Sequence, residues 1–242
     1  MSLIPRILHY LWLSDEPRPD LIRRCLASWA QVMPDFRIRH WSLADFDQND
    51  LPLFAQQAIA LKQWAFASDV LRLWVLVQHG GVYLDADVLA IRSLEPLLGY
   101  DAFTAVEFNP MAFDAENGVA WLDADGRRRP EERQGPPPGI GLQAAVLGAV
   151  PDHPFLLSCL AYYENRPFVE PDGSWHRDPI APGIYGLAAE HHGFRWTNRM
   201  QQLRDGIVVL PAEMIASTKA QYGLNTFAFH CCAGSWRQSP PG

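Results

Sequence analysis

The sequence predicts an α/β fold in which one mostly parallel sheet is flanked by helices. Apolar runs of strand length at residues 6–13 and 36–41 are each followed by a helical pattern, at residues 20–32 and 43–59. Strands that alternate with helices in this way build a parallel sheet with crossover helices. A further unit, at residues 64–89, joins an apolar helix to a short strand.

The composition indicates a single globular domain over residues 1–242. Of these residues 48% are hydrophobic and 19% are charged, which is enough for one sizeable core. The net charge of −7 opposes binding to nucleic acid. The sequence contains no run of about 18 apolar residues, so no bilayer span is predicted. No signal peptide is recognisable. The four cysteines lack a C-x-x-C spacing, which predicts reduced thiols in the cytosol.

The helix at residues 66–79 carries charges although it is otherwise apolar on almost every side. A helix with this pattern is buried. Ser68, Asp69 and Arg72 interrupt the pattern three and four residues apart, so they share one face. Charges on a buried helix are costly unless they are paired or meet a ligand. We therefore predict that Asp69 and Arg72 are functional.

Two aspartates follow the strand that comes after this helix. Gly80 and Gly81 end the helix, residues 82–84 form the strand, and Asp85 and Asp87 leave its carboxyl end. Carboxylates two residues apart can converge on one hard cation, and a site with few other ligands suits Mg²⁺ or Mn²⁺. A surface turn with two solvated aspartates is the alternative.

Asp123 and Asp125 have the same spacing in a different setting. They lie beside Gly126 and a run of three arginines. For this pair we predict a surface turn.

Three stretches resemble one enzyme family. The central stretch, residues 67–87, reads A-S-D-x-x-R-x-x-x-L-x-x-x-G-G-x-Y-x-D-x-D. Residues 4–13, IPRILHYLWL, resemble the opening I-P-K-I-I-H-x-I-W, and residues 230–236, HCCAGSW, resemble the closing H-x-x-x-G-S-W. The family is that of the glycosyltransferases with a D-x-D sugar-binding motif (family 32). It includes bacterial capsular-polysaccharide transferases, the yeast initiating mannosyltransferase and, more distantly, the clostridial glucosylating toxins.

The resemblance implies a fold and an activity. The fold would be the GT-A-type nucleotide-sugar transferase fold, with a single Rossmann-like sheet. The activity would be Mn²⁺- or Mg²⁺-dependent transfer of a sugar, with retention, in polysaccharide or glycoconjugate synthesis. The donor would be a UDP-sugar or GDP-mannose, and the acceptor a carbohydrate or glycolipid hydroxyl. The location would be the bacterial cytoplasm, with peripheral association at the inner membrane face as an option.

The resemblance also assigns roles to the central motif. Asp87 would ligate the metal, Asp85 would bind the ribose or reach the metal through water, and His230 would complete the metal shell. Asp69 and Arg72 would hold the hydroxyls of the donor sugar.

Other implied contacts surround this motif. Trp12, at the end of the first strand, would stack on the nucleobase, with a place in the core as the alternative. Tyr83 would pack beneath the site. Gln143 would hydrogen-bond to the sugar.

Two segments are expected to cover the site. Residues 109–139 are rich in proline, glycine and charge, and they predict a long flexible loop on the acceptor side or a plain surface loop. By resemblance, residues 227–242 would close over the metal, and Ser235 and Trp236 would donate hydrogen bonds to the diphosphate.

Two other functions stay open at this stage. A phosphatase of the haloacid dehalogenase type also has D-x-D after an apolar strand, with the first aspartate as nucleophile. It needs a downstream lysine and a later acidic pair, whereas the chain contains two lysines, Lys62 and Lys219, and no convincing acidic pair. A non-catalytic nucleotide-sugar-binding domain would bind the same donor without turnover.

Overall fold

The computed structural model describes residues 4–129, 133–164, 166–176 and 178–232. Its strands are β1 (Ile7–Leu11), β2 (Arg37–Trp41), β3 (Gly81–Leu84), β4 (Val88–Ala90), β5 (Ala102–Phe108), β6 (Ile140–Leu142), β7 (Val146–Ala149), β8 (Gln201–Gln202), β9 (Ile207–Leu210), β10 (Ile215–Ala216) and β11 (Ala228–His230). Its helices are α1 (Asp20–Val32), α2 (Leu53–Ala60), α3 (Trp64–His79), α4 (Pro110–Ala115), α5 (Pro154–Glu164) and α6 (Ala181–Glu190).

A large mixed sheet forms the centre of the fold. Its order is β2-β1-β3-β7-β5-β9-β8, and β6 pairs with β5 beside this path. Strands β1, β2, β3, β5 and β9 point in one direction, whereas β6, β7 and β8 point in the other. The predicted α/β fold with a mostly parallel sheet flanked by helices is therefore confirmed.

Both faces of the sheet are buried, as the side chains of β3 illustrate. Val82 and Leu84 point into a cluster that contains Trp29 of α1, whereas Tyr83 points into the larger cluster beneath α2, α3, α5 and α6. This alternation follows from the two-residue period of a strand. Because every residue of β3 is buried, the aspartates that follow this strand are the first polar side chains at its end.

The junction between α3 and β3 depends on two glycines. Gly80 has φ +58° and Gly81 has φ +98°, in the region that L side chains rarely adopt. A Cβ on Gly81 would lie 2.8 Å from His9 Nε2 and 2.9 Å from the carbonyl oxygen of Ile7. The glycine break predicted from the sequence is confirmed, and it lets β3 lie close against β1.

A second, smaller sheet was not predicted. It has the order β10-β11-β4, and β11 runs antiparallel to β4 with His230 opposite Val88. Strand β11 lies in the segment 227–242 that the resemblance expects to close over the metal. Strand β4 consists of three residues directly after the D-x-D turn, which is too short for a recognisable alternating pattern.

The described part of residues 109–139, where the sequence predicts a long loop, contains α4, a 3-10 helix at Gly118–Trp121 and a bridge between Leu122 and Arg128. Helix α4 begins at a proline, and the side chain of Asn109 caps it by accepting from the amide of Ala112.

Among the described residues, no helix combines the length and the apolar character that a membrane span requires.

The glycine junction gives a first prediction. Gly81→Ala should lower the free energy of unfolding by at least about 2 kcal/mol, because alanine is strained at this φ and its Cβ meets the Ile7 carbonyl. Urea denaturation measures the change. Gly99→Ala is the matched control, since a Cβ there meets no atom within 4 Å and its φ is ordinary. Equal stability of the two variants would contradict this account of the junction.

Candidate functional site

The D-x-D segment forms a tight turn between β3 and β4. The amide of Asp85 donates to the carbonyl of Ala145, and the amide of Val88 donates back to the carbonyl of Asp85. The turn directly follows β3 and so lies at the carboxyl end of this strand. This end is next to the carboxyl end of the parallel strand β1. This edge is where ligands bind in open α/β sheets.

Asp85, Asp87 and His230 come together at this turn. One ligand atom from each lies within 4.8 Å of the others, and His230 Nε2 is 3.5 Å from Asp87 Oδ1. Pairing of β4 with β11 brings His230 to this position, and the amide of Cys231 adds a hydrogen bond of 3.1 Å to the carbonyl of Asp87. The three residues predicted from the sequence as metal ligands are thus brought together.

This donor set fits a divalent cation. Two carboxylates and one imidazole leave coordination positions free for other oxygen ligands, and imidazole suits Mn²⁺ better than Mg²⁺. Burial lowers the pKa of His230, but hydrogen bonds to Asp87 and Cys232 and the charge of Asp85 outweigh it and raise this pKa to about 11. The surroundings of His230 thus favour a positive charge next to the aspartates.

Arg72 connects the separate pieces of the site. Its Nη2 lies 3.0 Å from Asp69 Oδ1 and 3.4 Å from Asp85 Oδ1. Its Nε donates to the carbonyl of Ser68 at 3.0 Å, and its Nη1 donates to the carbonyl of Ala144 at 2.7 Å. Its side chain is 5% exposed, so these contacts are shielded from water.

Two neighbours of Arg72 complete a buried polar cluster. Burial raises the pKa of Asp69 to about 7, although Arg72 acts in the opposite direction. Tyr83 is buried beneath the turn, and its hydroxyl donates to Asp85 Oδ1 at 2.8 Å. Asp69 and Asp85 are therefore held by protein groups on one side.

The remaining predicted residues have different positions. Trp12 is partly buried at the end of β1, where its Nε1 donates to the carbonyl of Glu16. Gln143 is buried, its side-chain Nε2 donates to the Ser217 hydroxyl, and its Oε1 accepts from the backbone amide of Ala145. Ser235 and Trp236 lie outside the described residues.

Glu107 belongs to this site although it was not predicted as a site residue. It is the second-to-last residue of β5. Burial raises its pKa, His230 and Arg72 oppose that shift, and Asp85 adds to it. A single acidic residue at the end of an apolar strand is the signal that could have indicated it.

The second D-x-D stretch forms the predicted surface turn. Asp123 Oδ1 accepts from the amides of Asp125 and Arg127, and Arg127 pairs with Asp125 at 2.7 Å. The side chains of Asp125 and Arg127 are more than half exposed.

Residues 19–104 match the family described as "Glycosyltransferase sugar-binding region containing DXD motif". This part of the chain is similar to a DXD-type sugar-binding region. The matched stretch contains Asp69, Arg72, Asp85 and Asp87, and it ends in β5.

Two fungal proteins are similar to part of this chain. Inositol phosphoceramide mannosyltransferase 3 of Schizosaccharomyces pombe is 33% identical over 105 residues, which are 42% of this chain and 29% of that protein. Mannosyl phosphorylinositol ceramide synthase SUR1 of Saccharomyces cerevisiae is 26% identical over 162 residues, 66% of this chain and 34% of that protein. The chain thus matches about a third of the length of these relatives.

A solved structure shares the fold. The structure titled "PaToxG Glycosyltransferase" superposes with a TM-score of 0.52 at 13% identity, covering 78% of this chain and 70% of that one. The fold is that of the GT-A glycosyltransferases, as expected from the resemblance.

Removal of Arg72 provides a second prediction. Arg72→Met should lower the free energy of unfolding by about 3–5 kcal/mol, because it leaves buried carboxylates without their counter-charge and the Ala144 carbonyl without a donor. Equilibrium denaturation measures this loss. Arg127→Met is the control, since that arginine makes its ion pair on the surface, and its loss should stay within experimental scatter. A small effect at Arg72 would mean that the cluster is not a stabilising unit.

Proposed function

We propose that this chain is a metal-dependent glycosyltransferase that moves a sugar from a nucleotide-diphosphate donor to an acceptor hydroxyl. The observation that carries the proposal is the cluster of Asp85, Asp87 and His230 next to Arg72 and Asp69. All of these residues except His230 lie in the stretch, residues 19–104, that matches a sugar-binding region. The carboxylates of Asp85 and Asp87 lie side by side on one turn, which suits metal binding. A glycoside hydrolase would instead need two carboxylates that face each other across the bond to be broken.

Asp87, Asp85 and His230 would hold the cation. A divalent ion at this position supplies positive charge that stabilises a departing diphosphate. Asp85 would keep its orientation through Tyr83 and Arg72. Asp69 would accept hydrogen bonds from donor hydroxyls, and Arg72 would fix the Asp69 carboxylate in place.

The nucleotide would bind beside the cation. Trp12 stands at the carboxyl end of β1, the strand next to β3, where its ring could stack on a uracil or a guanine. Ser235 and Trp236 would approach the diphosphate from the C-terminal segment 227–242. Gln143 would act through the backbone that it holds beneath the sugar, because its amide is engaged with Ser217 and Ala145.

The finer substrate assignments are also part of the proposal. The resemblance of the three sequence stretches favours a UDP-sugar, whereas the names of the two fungal relatives favour a mannosyl donor such as GDP-mannose. The acceptor would be a carbohydrate or a glycolipid headgroup, with residues 109–139 on the acceptor side. The reaction would proceed with retention in the cytoplasm, at the membrane surface for a lipid acceptor, in polysaccharide or glycoconjugate synthesis.

The donor and metal can be tested together. We expect one of UDP-glucose, UDP-galactose or GDP-mannose to raise the melting temperature with Mn²⁺ present and not without it. At a hundredfold excess over Kd, binding adds about 2.7 kcal/mol, which corresponds to about 5–10 °C for a chain of this size. Release of free UDP or GDP on adding acceptor would separate an enzyme from a binding domain. If no nucleotide stabilises the protein with Mn²⁺, the transferase proposal is wrong.

The choice between the two D-x-D stretches gives another prediction. Asp87→Ala should abolish Mn²⁺-dependent nucleotide binding, because it removes one of the three ligands that converge at the turn. Asp125→Ala is the matched control, since this residue lies in a surface turn, and its binding should equal that of the unaltered protein. Titration calorimetry with the nucleotide found in the melting experiment measures both. Comparable losses in the two variants would contradict the assignment.

A further inference from the structure

Glu107 lies at the level of the D-x-D turn on the neighbouring part of the sheet. Strand β7 pairs with both β3 and β5, and its residue Ala149 faces Gly81 on one side and Ala102 on the other. Glu107 is five residues beyond Ala102, and Ala86 is five residues beyond Gly81. Because β3 and β5 run in the same direction, this register places Glu107 at the same sheet edge as the two aspartates.

The carboxylate of Glu107 has no hydrogen-bond or ion-pair partner in the part of the chain that the structure describes, although its charge interacts with Asp69, Asp85 and His230. The side chain is also partly buried. A carboxylate withdrawn from water without hydrogen-bond donors is unfavourable. Donors from a bound ligand would remove this penalty.

Glu107 is not one of the three residues whose ligand atoms converge at the turn. The group of ligand atoms that lie within 4.8 Å of one another consists of Asp85, Asp87 and His230, and Glu107 is outside it. Its charge also interacts with those of Asp69 and Arg72. Glu107 is thus within electrostatic reach of both the cation site and the residues to which the donor sugar is assigned.

Arg72 cannot supply most of the sugar contacts. Its Nε and one Nη1 hydrogen are donated to the carbonyls of Ser68 and Ala144, and its Nη2 faces Asp69 and Asp85. The groups that remain for sugar recognition are carboxylate oxygens, which accept from hydroxyl groups.

We propose that Glu107 is a sugar-specificity residue, whose carboxylate accepts hydrogen bonds from hydroxyl groups of a nucleotide-linked hexose. This assignment rests on the proposed function. Asp69 and Glu107 bind different hydroxyls of the same ring, so that epimers and deoxy sugars leave one carboxylate without a donor. Sites that hydrogen-bond a hydroxyl discriminate strongly against analogues that lack it.

The test separates the sugar from the nucleotide. Glu107→Gln is measured in the full chain with Mn²⁺, using the nucleotide-sugar that stabilises the unaltered protein and the corresponding free UDP or GDP. We expect the affinity for the nucleotide-sugar to fall about 10- to 100-fold, the range for loss of hydrogen bonds to a charged group. The affinity for the free nucleoside diphosphate should change less than twofold. Discrimination between the preferred sugar and its epimers should fall by a similar factor.

Two further variants control for misfolding and for the loss of one negative charge. Glu107→Asp keeps the charge on a shorter side chain and should recover part of the affinity, which a loss of folding would not allow. Glu164→Gln removes a charge at an exposed position at the end of α5 and should leave both affinities unchanged.

Each contrary result has a distinct meaning. An unchanged nucleotide-sugar affinity in Glu107→Gln would overturn the assignment while the transferase proposal stands. Equal losses of affinity for the nucleotide-sugar and for the free nucleotide would indicate that Glu107 acts through the metal. This result would also overturn the assignment of Glu107 to the sugar. Failure of the unaltered protein to bind any nucleotide with Mn²⁺ would overturn the proposed function and this assignment together.

Discussion

The geometry of the site depends on the buried guanidinium of Arg72. This group joins α3, the end of β3 and the connection between β6 and β7, through the carboxylates of Asp69 and Asp85 and the carbonyl of Ala144. Because burying a charge is costly unless all of its hydrogen bonds are made, each contact depends on the others being in place. A lysine ammonium could not replace this planar fork, which reaches groups in several directions.

A second constraint brings distant parts of the sequence to the cation site. Val88 is fixed from one side by the indole of Trp29, whose Nε1 donates to its carbonyl at 2.7 Å, and from the other side by the pairing of β4 with β11. Asp87 immediately precedes this strand, and His230 ends its partner. The cation site is therefore assembled by backbone pairing between short strands, and its shape depends on the docking of the C-terminal part of the chain.

Local patterns in the sequence were sufficient to predict the centre of the fold and the part of the site that lies on α3 and directly after β3. The apolar helix, the glycine pair and the strand before Asp85 follow from periodicity and backbone sterics, which act within a few residues. The partners of Arg72 could be inferred where they were side chains on the same helix face. The carbonyl of Ala144 could not be inferred, because a backbone acceptor leaves no mark in the sequence.

Other features depend on tertiary pairing. Strand β7 lies antiparallel between β3 and β5, and its small apolar residues fit a strand or a short helix equally well. Strand β4 exists because β11 pairs with it. Glu107 carries no spacing signal, since its significance comes from the register of β5 against β7 and not from its sequence neighbours.

The balance of charge at the site links the proposed metal and the proposed donor. Four carboxylates, those of Asp69, Asp85, Asp87 and Glu107, lie near one guanidinium and one imidazole. A diphosphate brings further negative charge, and in a partly buried site like charges repel strongly because water screens them poorly. A divalent cation attracts both the aspartates and the phosphate oxygens, so each ligand should increase the affinity of the other by the same factor. The excess of carboxylates is thus itself a reason to expect that nucleotide and metal bind together. Under the proposed assignment, the hydroxyl groups of the sugar donate hydrogen bonds to the remaining carboxylates, those of Asp69 and Glu107.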